Sequence, residues 1–189
     1  MRPHKRDVIL RAAFEVIERD GVAELTIEAV AGECGLTRAG VQYHFGTREL
    51  LFQAVQEWRA VRWDGLLRDK LGADPAAATL DERLAAYAEV SEEPASTGEL
   101  LLMLEASRRP EHRHAYGEVA QHWLPDLSQI SPDDSAAVTR LLVQVASDGL
   151  WVADSIGSPI PAALRKAISA RIIALISHDV STGGTDPGC

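Results

Sequence analysis

The sequence predicts an all-α protein, and three observations support this fold class. Apolar residues recur at spacings of three and four along almost the whole chain, which is the period of helices that bury one face. No run of residues shows the alternation of apolar and polar side chains that is typical of half-buried strands. Glycine, proline and capping threonine residues divide the chain into segments of helical length. The 189 residues are enough for a small helical module followed by a larger helical domain.

The first two predicted helices cover residues 6–20 and 26–33. The first places charges of alternating sign on one face at a spacing of four, and apolar residues on the opposite face. Gly21 ends this helix, because glycine readily adopts the left-handed conformation found after many helices. Thr26 caps the N-terminus of the second helix, and Gly35 supplies its stop.

The third predicted helix is short and runs from Arg38 to Phe45 after the capping residue Thr37. A long helix begins near Arg48. Later helices are expected over 79–92, 97–108, 111–130 (with Pro125 as a kink or stop), 133–156 and 161–179. The predicted organisation is a domain over residues 1–46, a second domain over 47–180 and an unstructured tail over 181–189.

Composition excludes several classes of protein. With 46% hydrophobic and 25% charged residues, the chain is neither intrinsically disordered nor collagen-like. No stretch reaches the roughly 18 consecutive apolar residues of a membrane span, so we expect a cytoplasmic protein without a membrane partner. Cys34 and Cys189 form no CxxC pair, and no structural zinc site is expected.

The charge distribution separates the two predicted domains. The net charge of −9 argues at first against binding to nucleic acid, because DNA affinity usually comes from basic side chains that neutralise phosphates. Residues 1–50 nevertheless contain seven basic and eight acidic groups, so most of the acidity belongs to the later residues. The N-terminal part can therefore still bind DNA if it places its arginines on one face.

Two helices joined by the turn Cys34–Thr37 predict a helix-turn-helix whose second helix enters the major groove of DNA. Gln42 can pair with adenine, and Arg38 can reach guanine or a phosphate. Tyr43 and His44 can contact base edges or the DNA backbone. Gly40 would allow the helix to approach DNA closely, and phosphate contact by Thr26 or Thr37 would add to their capping roles. A basic arm (Arg2, Lys5 and Arg6) would reach the minor groove or else stay solvated.

The segments 25–31 (LTIEAVA) and 35–51 (GLTRAGVQYHFGTRELL) resemble the TetR (tetracycline-repressor) family of transcriptional regulators. The similarity covers roughly residues 6–55 and includes the helix lengths, the glycines, the His-Phe pair and the Arg-Glu-Leu-Leu opening of the long helix. The family often has Tyr at the position of Gln42, whereas the aromatic residue here is Tyr43. The usual family contact with phosphate therefore falls to either of these two residues.

The resemblance implies a homodimeric repressor that binds a palindromic double-stranded DNA operator and is released by a small-molecule effector in the C-terminal domain. The candidate DNA-binding residues are Thr26, Thr37, Arg38, Gly40, Gln42, Tyr43, His44 and Arg48. The alternative function is a DNA-binding architectural or partner-binding module that needs no effector.

In this family the last two helices form the dimer interface, and the sequence allows the same arrangement. Small and apolar residues recur at helical spacing in both segments. The candidate interface residues are Leu142, Ala146, Gly149, Ala153, Leu164, Ile168, Ile172 and Leu175. Burial within a monomer explains their spacing equally well, and only the resemblance favours the dimer.

Two further hypotheses concern the larger domain. Met103, Trp123 and Trp151 are candidates for an apolar effector pocket, although core packing accounts for such residues equally well. Glu111 and His114 have the Glu-x-x-His spacing of helical di-iron proteins, but a second copy is missing and arginines surround the first. An exposed helix start after Pro110 explains this segment better, so we expect no metal, no cofactor and no catalytic site.

Overall fold

The computed structural model describes residues 5–108 and 114–177, and within these ranges the protein is helical without any strand. The prediction of an all-α fold is confirmed. The described helices are α1 (Lys5–Asp20), α2 (Ile27–Cys34), α3 (Arg38–Phe45), α4 (Arg48–Leu71), α5 (Leu80–Val90), α6 (Thr97–Ser107), α7 (His114–Trp123), α8 (Ser135–Val152) and α9 (Ala162–Ser177). The predicted tail over 181–189 lies outside the described residues.

Local capping chemistry fixes the boundaries of the first helices. The hydroxyl of Thr26 accepts a 3.0 Å hydrogen bond from the main-chain nitrogen of Ala29, and α2 begins after it. Gly35 follows α2 with a φ of 66°, a left-handed conformation that glycine adopts without steric cost. Because these signals are local in sequence, the structure agrees closely with the predicted ranges.

Later helices also begin at capping residues. Thr79 before α5 and Ser96 before α6 each form a capping box, in which the carboxylate of the glutamate three positions later accepts a hydrogen bond from the main-chain nitrogen of the cap. The predicted helix over 111–130 ends at Trp123, two residues before Pro125. The predicted helix over 133–156 ends as an α-helix at Val152 and continues as a 3-10 turn over Asp154–Ile156.

The chain divides into two compact units, Met1–Trp63 with Ser96–Val119, and Asp64–Ala95 with Ala120–Cys189. The first unit therefore contains α6 as well as the helix-turn-helix. Leu102 of α6 is fully buried in the same core as Ile9, Val30 and Leu51, which belong to α1, α2 and α4. This core holds α2 and α3 in place through side chains on one face of each helix.

The second unit has its own core between α5, α8 and α9. Leu84, Val143 and Ile172 are buried there, one from each helix. Arg165 of α9 is also buried, and its guanidinium donates hydrogen bonds to the main-chain oxygen of Leu150 at 2.6 Å and to the carboxylate of Asp154 at 3.0 Å. A cation beside the last carbonyls of α8 complements the negative end of that helix.

Candidate nucleic-acid interface

Helix α3 has one face in the core and one face in solvent. Val41 and Phe45 are buried in the first unit, which fixes the rotation of the helix. Gln42 and Tyr43 lie on the exposed side, and Tyr43 is 87% exposed. Because Tyr43 is almost fully exposed, packing inside the first unit does not explain this aromatic side chain. A short helix that presents polar and aromatic groups in this way can enter a DNA groove.

Arg38 begins α3 and forms an ion pair with Glu28 in the first turn of α2. The distance between Nε of Arg38 and Oε1 of Glu28 is 2.7 Å, and both side chains are more than half exposed. The pair therefore connects the two helices of the helix-turn-helix on their solvent side. The sequence analysis selected Arg38 but not Glu28, because opposite charges ten residues apart across a turn carry no helical spacing signal.

His44 is half-buried beside Tyr43 on α3. The two ring centroids are 5.4 Å apart and the rings meet nearly at right angles, at 80°. This edge-to-face arrangement is favourable for aromatic pairs and restricts the orientation of the exposed tyrosine. His44 thus helps to orient Tyr43 on the exposed face of α3.

Thr37 and Gly40 form the N-terminal cap of α3. The hydroxyl of Thr37 accepts a 3.1 Å hydrogen bond from the main-chain nitrogen of Gly40. A Cβ added at Gly40 would lie 3.3 Å from this hydroxyl oxygen, which is a tight contact. The absence of a side chain at Gly40 therefore serves the cap directly, in addition to any close approach to DNA.

Arg48 is directed into the first unit, although the sequence analysis selected it as a candidate DNA-binding residue. Its Nε donates a 2.7 Å hydrogen bond to the carbonyl oxygen of Leu25, and its Nη2 donates a 2.6 Å hydrogen bond to that of Val22. The side chain thereby ties the start of α4 to the segment before α2. DNA contact by Arg48 stays a prediction, and it would use the N–H groups that remain, since the two carbonyls accept from Nε and from one N–H of Nη2.

Arg19 of α1 is also engaged by acidic partners. Its guanidinium contacts the carboxylates of Asp20 at 2.9 Å and Glu33 at 2.8 Å, and these hydrogen bonds raise the pKa of Arg19 further above its ordinary value. Among the described arginines of the first unit, Arg19, Arg38 and Arg48 therefore all have internal partners. Arg2 of the proposed basic arm lies outside the described residues.

The structure assigns different environments to the three candidates for the effector pocket. Met103 lies on α6 in the first unit and is 41% exposed. Trp123 is fully buried in the second unit, where its Nε1 donates a 2.8 Å hydrogen bond to the carboxylate of Asp64. Trp151 is half-buried on α8, and its carbonyl oxygen accepts a hydrogen bond from Ala95. Their role as a pocket stays a prediction.

A cleft of about 270 Å³ lies in the second unit between the end of α4, the following loop and α5. None of the three predicted pocket residues lines it. Its walls are mostly alanine, with Lys70, Glu82 and Glu89 as charged groups. Glu82 already caps α5 through Thr79, and Lys70 lies 3.8 Å from Glu89. Short alanine-rich segments gave no signal for a cleft in the sequence.

The second unit also contains a partly buried polar pair between α5 and α8. The hydroxyl of Tyr87 donates a hydrogen bond to the carboxyl group of Asp148. Burial raises the pKa of Asp148, and burial together with the nearby carboxyl raises the pKa of Tyr87. The sequence analysis did not select these residues, which lie 61 positions apart.

The predicted dimer residues fall into two groups. Leu142, Gly149, Leu164 and Leu175 are exposed on α8 and α9, and Ala146 and Ile168 are half-buried. Ala153 and Ile172 are instead buried within the protomer, Ile172 as part of the core of the second unit. Exposed Val138 and Val145 extend the apolar stripe of α8 at helical spacing, and Val138 is absent from the residues selected in the sequence.

The described residues contain no group of three or more side chains that could hold a metal ion. Glu111 and the side chain of His114, the proposed Glu-x-x-His element, lie outside them. Within the described parts of the chain, none of the helices combines the length and apolar character of a membrane span.

Comparison with known proteins gives two family matches and many structural relatives. The model for "Tetracyclin repressor-like, C-terminal domain" matches residues 81–177, and the model for "Bacterial regulatory proteins, tetR family" matches residues 9–55. No curated protein matches the chain in sequence.

Several solved structures share the fold. The proposed transcriptional regulator SCO7518 from Streptomyces coelicolor A3(2) is 23% identical, with a TM-score of 0.59 over 90% of this chain and 99% of that one. A proposed regulator from Saccharomonospora viridis in complex with choline is 19% identical, with a TM-score of 0.68 over 93% and 96%. The multidrug binding protein EbrR complexed with malachite green is 22% identical, with a TM-score of 0.61 over 90% and 98%.

These likenesses extend over both halves of the chain. The helix-turn-helix of α2 and α3 lies within the N-terminal match, and the C-terminal match covers α8, α9 and all of α5 except its first residue. Together the two family models account for most of the described residues. The chain therefore belongs to the TetR family of DNA-binding bacterial transcriptional regulators.

Proposed function

We propose that this protein is a repressor that binds a palindromic DNA operator as a homodimer and leaves it when a small molecule binds in the C-terminal domain. The observation that carries the proposal is the exposed face of α3, where Arg38, Gln42 and Tyr43 extend away from the core of the first unit. These side chains suit base edges and phosphates. We expect the protein to act in the cytoplasm, where its DNA is, and to have no catalytic activity.

The exposed stripes on α8 and α9 support the dimer. Leu142 is 52% exposed and Leu164 is 53% exposed, and contiguous exposed apolar side chains often mark an interface. Gly149 on the same side of α8 has no atom within 4 Å of an added Cβ, so a second helix has room to approach. Two copies joined in this way would present two α3 helices to half-sites about one helical turn of DNA apart, ~34 Å.

Release by an effector requires that the effector bind more tightly to the conformation that fits DNA poorly. Ligand sites between helices are mostly apolar and aromatic, which is why Trp123 and Trp151 stay candidates for such a site. The full burial of Trp123 and its hydrogen bond to Asp64 argue that Trp123 would form the wall of a pocket rather than its mouth.

The direct test is equilibrium binding of the purified full-length protein to the intergenic DNA that flanks its own gene. A scrambled duplex of equal length is the control, and two salt concentrations separate specific from general electrostatic binding. We expect tight, sequence-selective binding with two protein chains for each operator. Equal affinity for both duplexes would support the alternative of an architectural module, and no binding at low salt would contradict the proposal.

A thermal shift screen against a diverse set of metabolites tests the effector. A ligand that binds only the native state raises the melting temperature of the protein. We expect at least one such compound to lower operator affinity as well. If every stabilising compound left operator affinity unchanged, release by an effector would be excluded for that set and the effector-independent module would be favoured.

A further inference from the structure

We propose that Glu28 is a positioning residue for DNA readout, whose carboxylate orients the guanidinium of Arg38 toward a guanine of the operator. The inference rests on the proposed function, since it assigns a role within the same interface. Its structural basis is the 2.7 Å contact between Oε1 of Glu28 and Nε of Arg38. This contact joins the first turn of α2 to the first residue of α3.

The geometry of arginine explains why a contact at Nε matters. The guanidinium is planar and holds its five N–H donors in fixed directions, so a partner at Nε also restricts the other donors. Recognition of guanine needs two parallel N–H groups that point at O6 and N7 in one plane. A carboxylate at Nε leaves the outer edge, formed by the two terminal nitrogens, for this purpose.

The position of Glu28 is otherwise unfavourable for binding to DNA. Its side chain is 58% exposed beside Arg38, where a negative charge would repel the phosphates of bound DNA. Its location in the first turn of α2 favours an acidic residue in the free protein, because that end of a helix carries partial positive charge. The favourable interaction of the Glu28 carboxylate with the start of α2 does not require contact with Arg38. Exposed ion pairs also contribute little to stability. Orientation of the Arg38 guanidinium is therefore our explanation for the contact between Glu28 and Arg38.

The charge of Glu28 and its effect on the orientation of Arg38 predict opposite effects of one substitution on DNA affinity and on base discrimination. Glu28→Gln removes a repelling charge, so the affinity for any duplex should rise. The same change weakens the hold on Arg38, so discrimination between the preferred base pair and its replacements should fall. Simple loss of structure would instead lower both quantities and the melting temperature.

The test uses the full-length protein and a duplex that it selects from a pool with randomised sequence. Equilibrium affinities are measured for that duplex, for every single base-pair substitution in it and for a scrambled duplex. The variants are Arg38→Ala, Glu28→Gln, Glu28→Asp and the double variant of Arg38→Ala with Glu28→Gln. Glu33→Gln is the matched control, because it removes the same charge from the same helix where the partner is Arg19.

We expect Arg38→Ala to lower discrimination at one guanine position by about tenfold or more. Glu28→Gln should lower discrimination at that same position by about two- to fivefold, the scale of one exposed ion pair, while the affinity for the scrambled duplex rises. Glu28→Asp keeps the charge but shortens the side chain, so discrimination should fall without that rise. Glu33→Gln should leave discrimination unchanged, and the double variant should discriminate as Arg38→Ala does.

The outcomes separate this inference from the proposed function. Loss of discrimination in Arg38→Ala with full discrimination in both Glu28 variants would overturn the inference and leave the proposed function in place. A uniform loss of affinity together with a lower melting temperature in Glu28→Gln would also overturn it. If no duplex were selected, or if Arg38→Ala lost discrimination at no position, the proposed readout by Arg38 would fail and this inference with it.

Discussion

The main-chain nitrogen of Gly98, in the first turn of α6, donates a 2.7 Å hydrogen bond to Oε2 of Glu18 on α1. A Cβ added at Gly98 would lie 2.5 Å from that oxygen and 3.1 Å from the Cα of Glu18. The carboxylate therefore caps the positive end of α6, and the missing side chain allows the two helices to approach closely. This contact helps to place α6 in the first unit rather than the second.

Gly98→Ala should destabilise the protein because the new methyl group collides with Glu18. We expect the free energy of unfolding to fall by roughly 1–3 kcal/mol, the range for overpacked sites. Denaturation by urea measures the change. Gly32→Ala is the control, since a Cβ at Gly32 meets no atom within 4 Å, and alanine there should be neutral or stabilising by up to about 1 kcal/mol. Equal losses in the two variants would contradict the role of the close approach.

Arg48→Met tests whether this arginine serves folding or phosphate binding. Because two main-chain carbonyls are deprived of a charged donor, we expect the free energy of unfolding to fall by about 2 kcal/mol. The dependence of DNA affinity on salt concentration should stay unchanged. If Arg48 instead neutralises a phosphate, its removal should make the slope of log affinity against log salt shallower by about 0.9. That second result, with stability unchanged, would restore the prediction made from the sequence.

The pair formed by Tyr87 and Asp148 predicts a dependence of stability on pH. Burial raises the pKa of Asp148 above its ordinary value of 3.8, although the hydrogen bond from Tyr87 acts in the opposite direction. The folded state thus holds the proton more tightly, so this group favours folding below the ordinary pKa and loses that contribution as pH rises through the raised value. Asp148→Asn cannot ionise, so its stability relative to the unchanged protein should increase as the pH rises from the ordinary pKa of 3.8 through the raised pKa of Asp148.

Asp64→Asn provides a control of opposite sign. Burial disfavours the ionised form of Asp64, but hydrogen bonds from Arg68 and Trp123 outweigh it and lower the pKa. Its contribution to stability is therefore present above the ordinary pKa and is lost as pH falls through the lowered value. The variant should be less stable than the unchanged protein near neutral pH, and the difference should shrink in acid. Parallel pH profiles for the two variants would contradict the assigned environments.

Leu142→Arg tests the dimer interface on α8. We expect the dissociation constant of the dimer to rise by roughly a hundredfold or more, because burial of an unpaired charge costs several kcal/mol. Sedimentation equilibrium measures it. Val61→Arg is a matched control, since Val61 is 71% exposed and belongs to α4 in the first unit. If Leu142→Arg stayed dimeric at the concentrations where the unchanged protein is dimeric, the interface would lie elsewhere.

Much of the fold follows from local signals, and for that reason it was predictable. Thr26, Gly35 and Thr37 act on residues three or four positions away, so the sequence alone defines α2 and α3. Contacts between distant residues were not predictable in the same way. Arg48 reaches carbonyls 23 and 26 residues earlier in the chain, and Trp123 finds Asp64 at a separation of 59.

In the candidate site, too, local features were predictable from the sequence and contacts between distant residues were not. Exposure of Gln42 and Tyr43 follows from the helical period once Val41 and Phe45 are assigned to the core. The partner of Arg38 depends on the angle between α2 and α3, which no spacing encodes. The burial of Ile172 depends on how α8 and α9 pack on α5, whereas a stripe of small and apolar residues fits a monomer core or a dimer surface equally well.

The central claim is that the exposed face of α3 reads the base sequence of DNA, and Gln42→Ala tests it most directly. The affinity of this variant is measured for the preferred duplex and for each single base-pair substitution of it. We predict that the variant loses roughly 1–3 kcal/mol of binding free energy for the preferred duplex. At one base-pair position it should bind the preferred base pair and its replacements equally well. An equal loss on every sequence, or no loss on any, would contradict base readout by this face of α3.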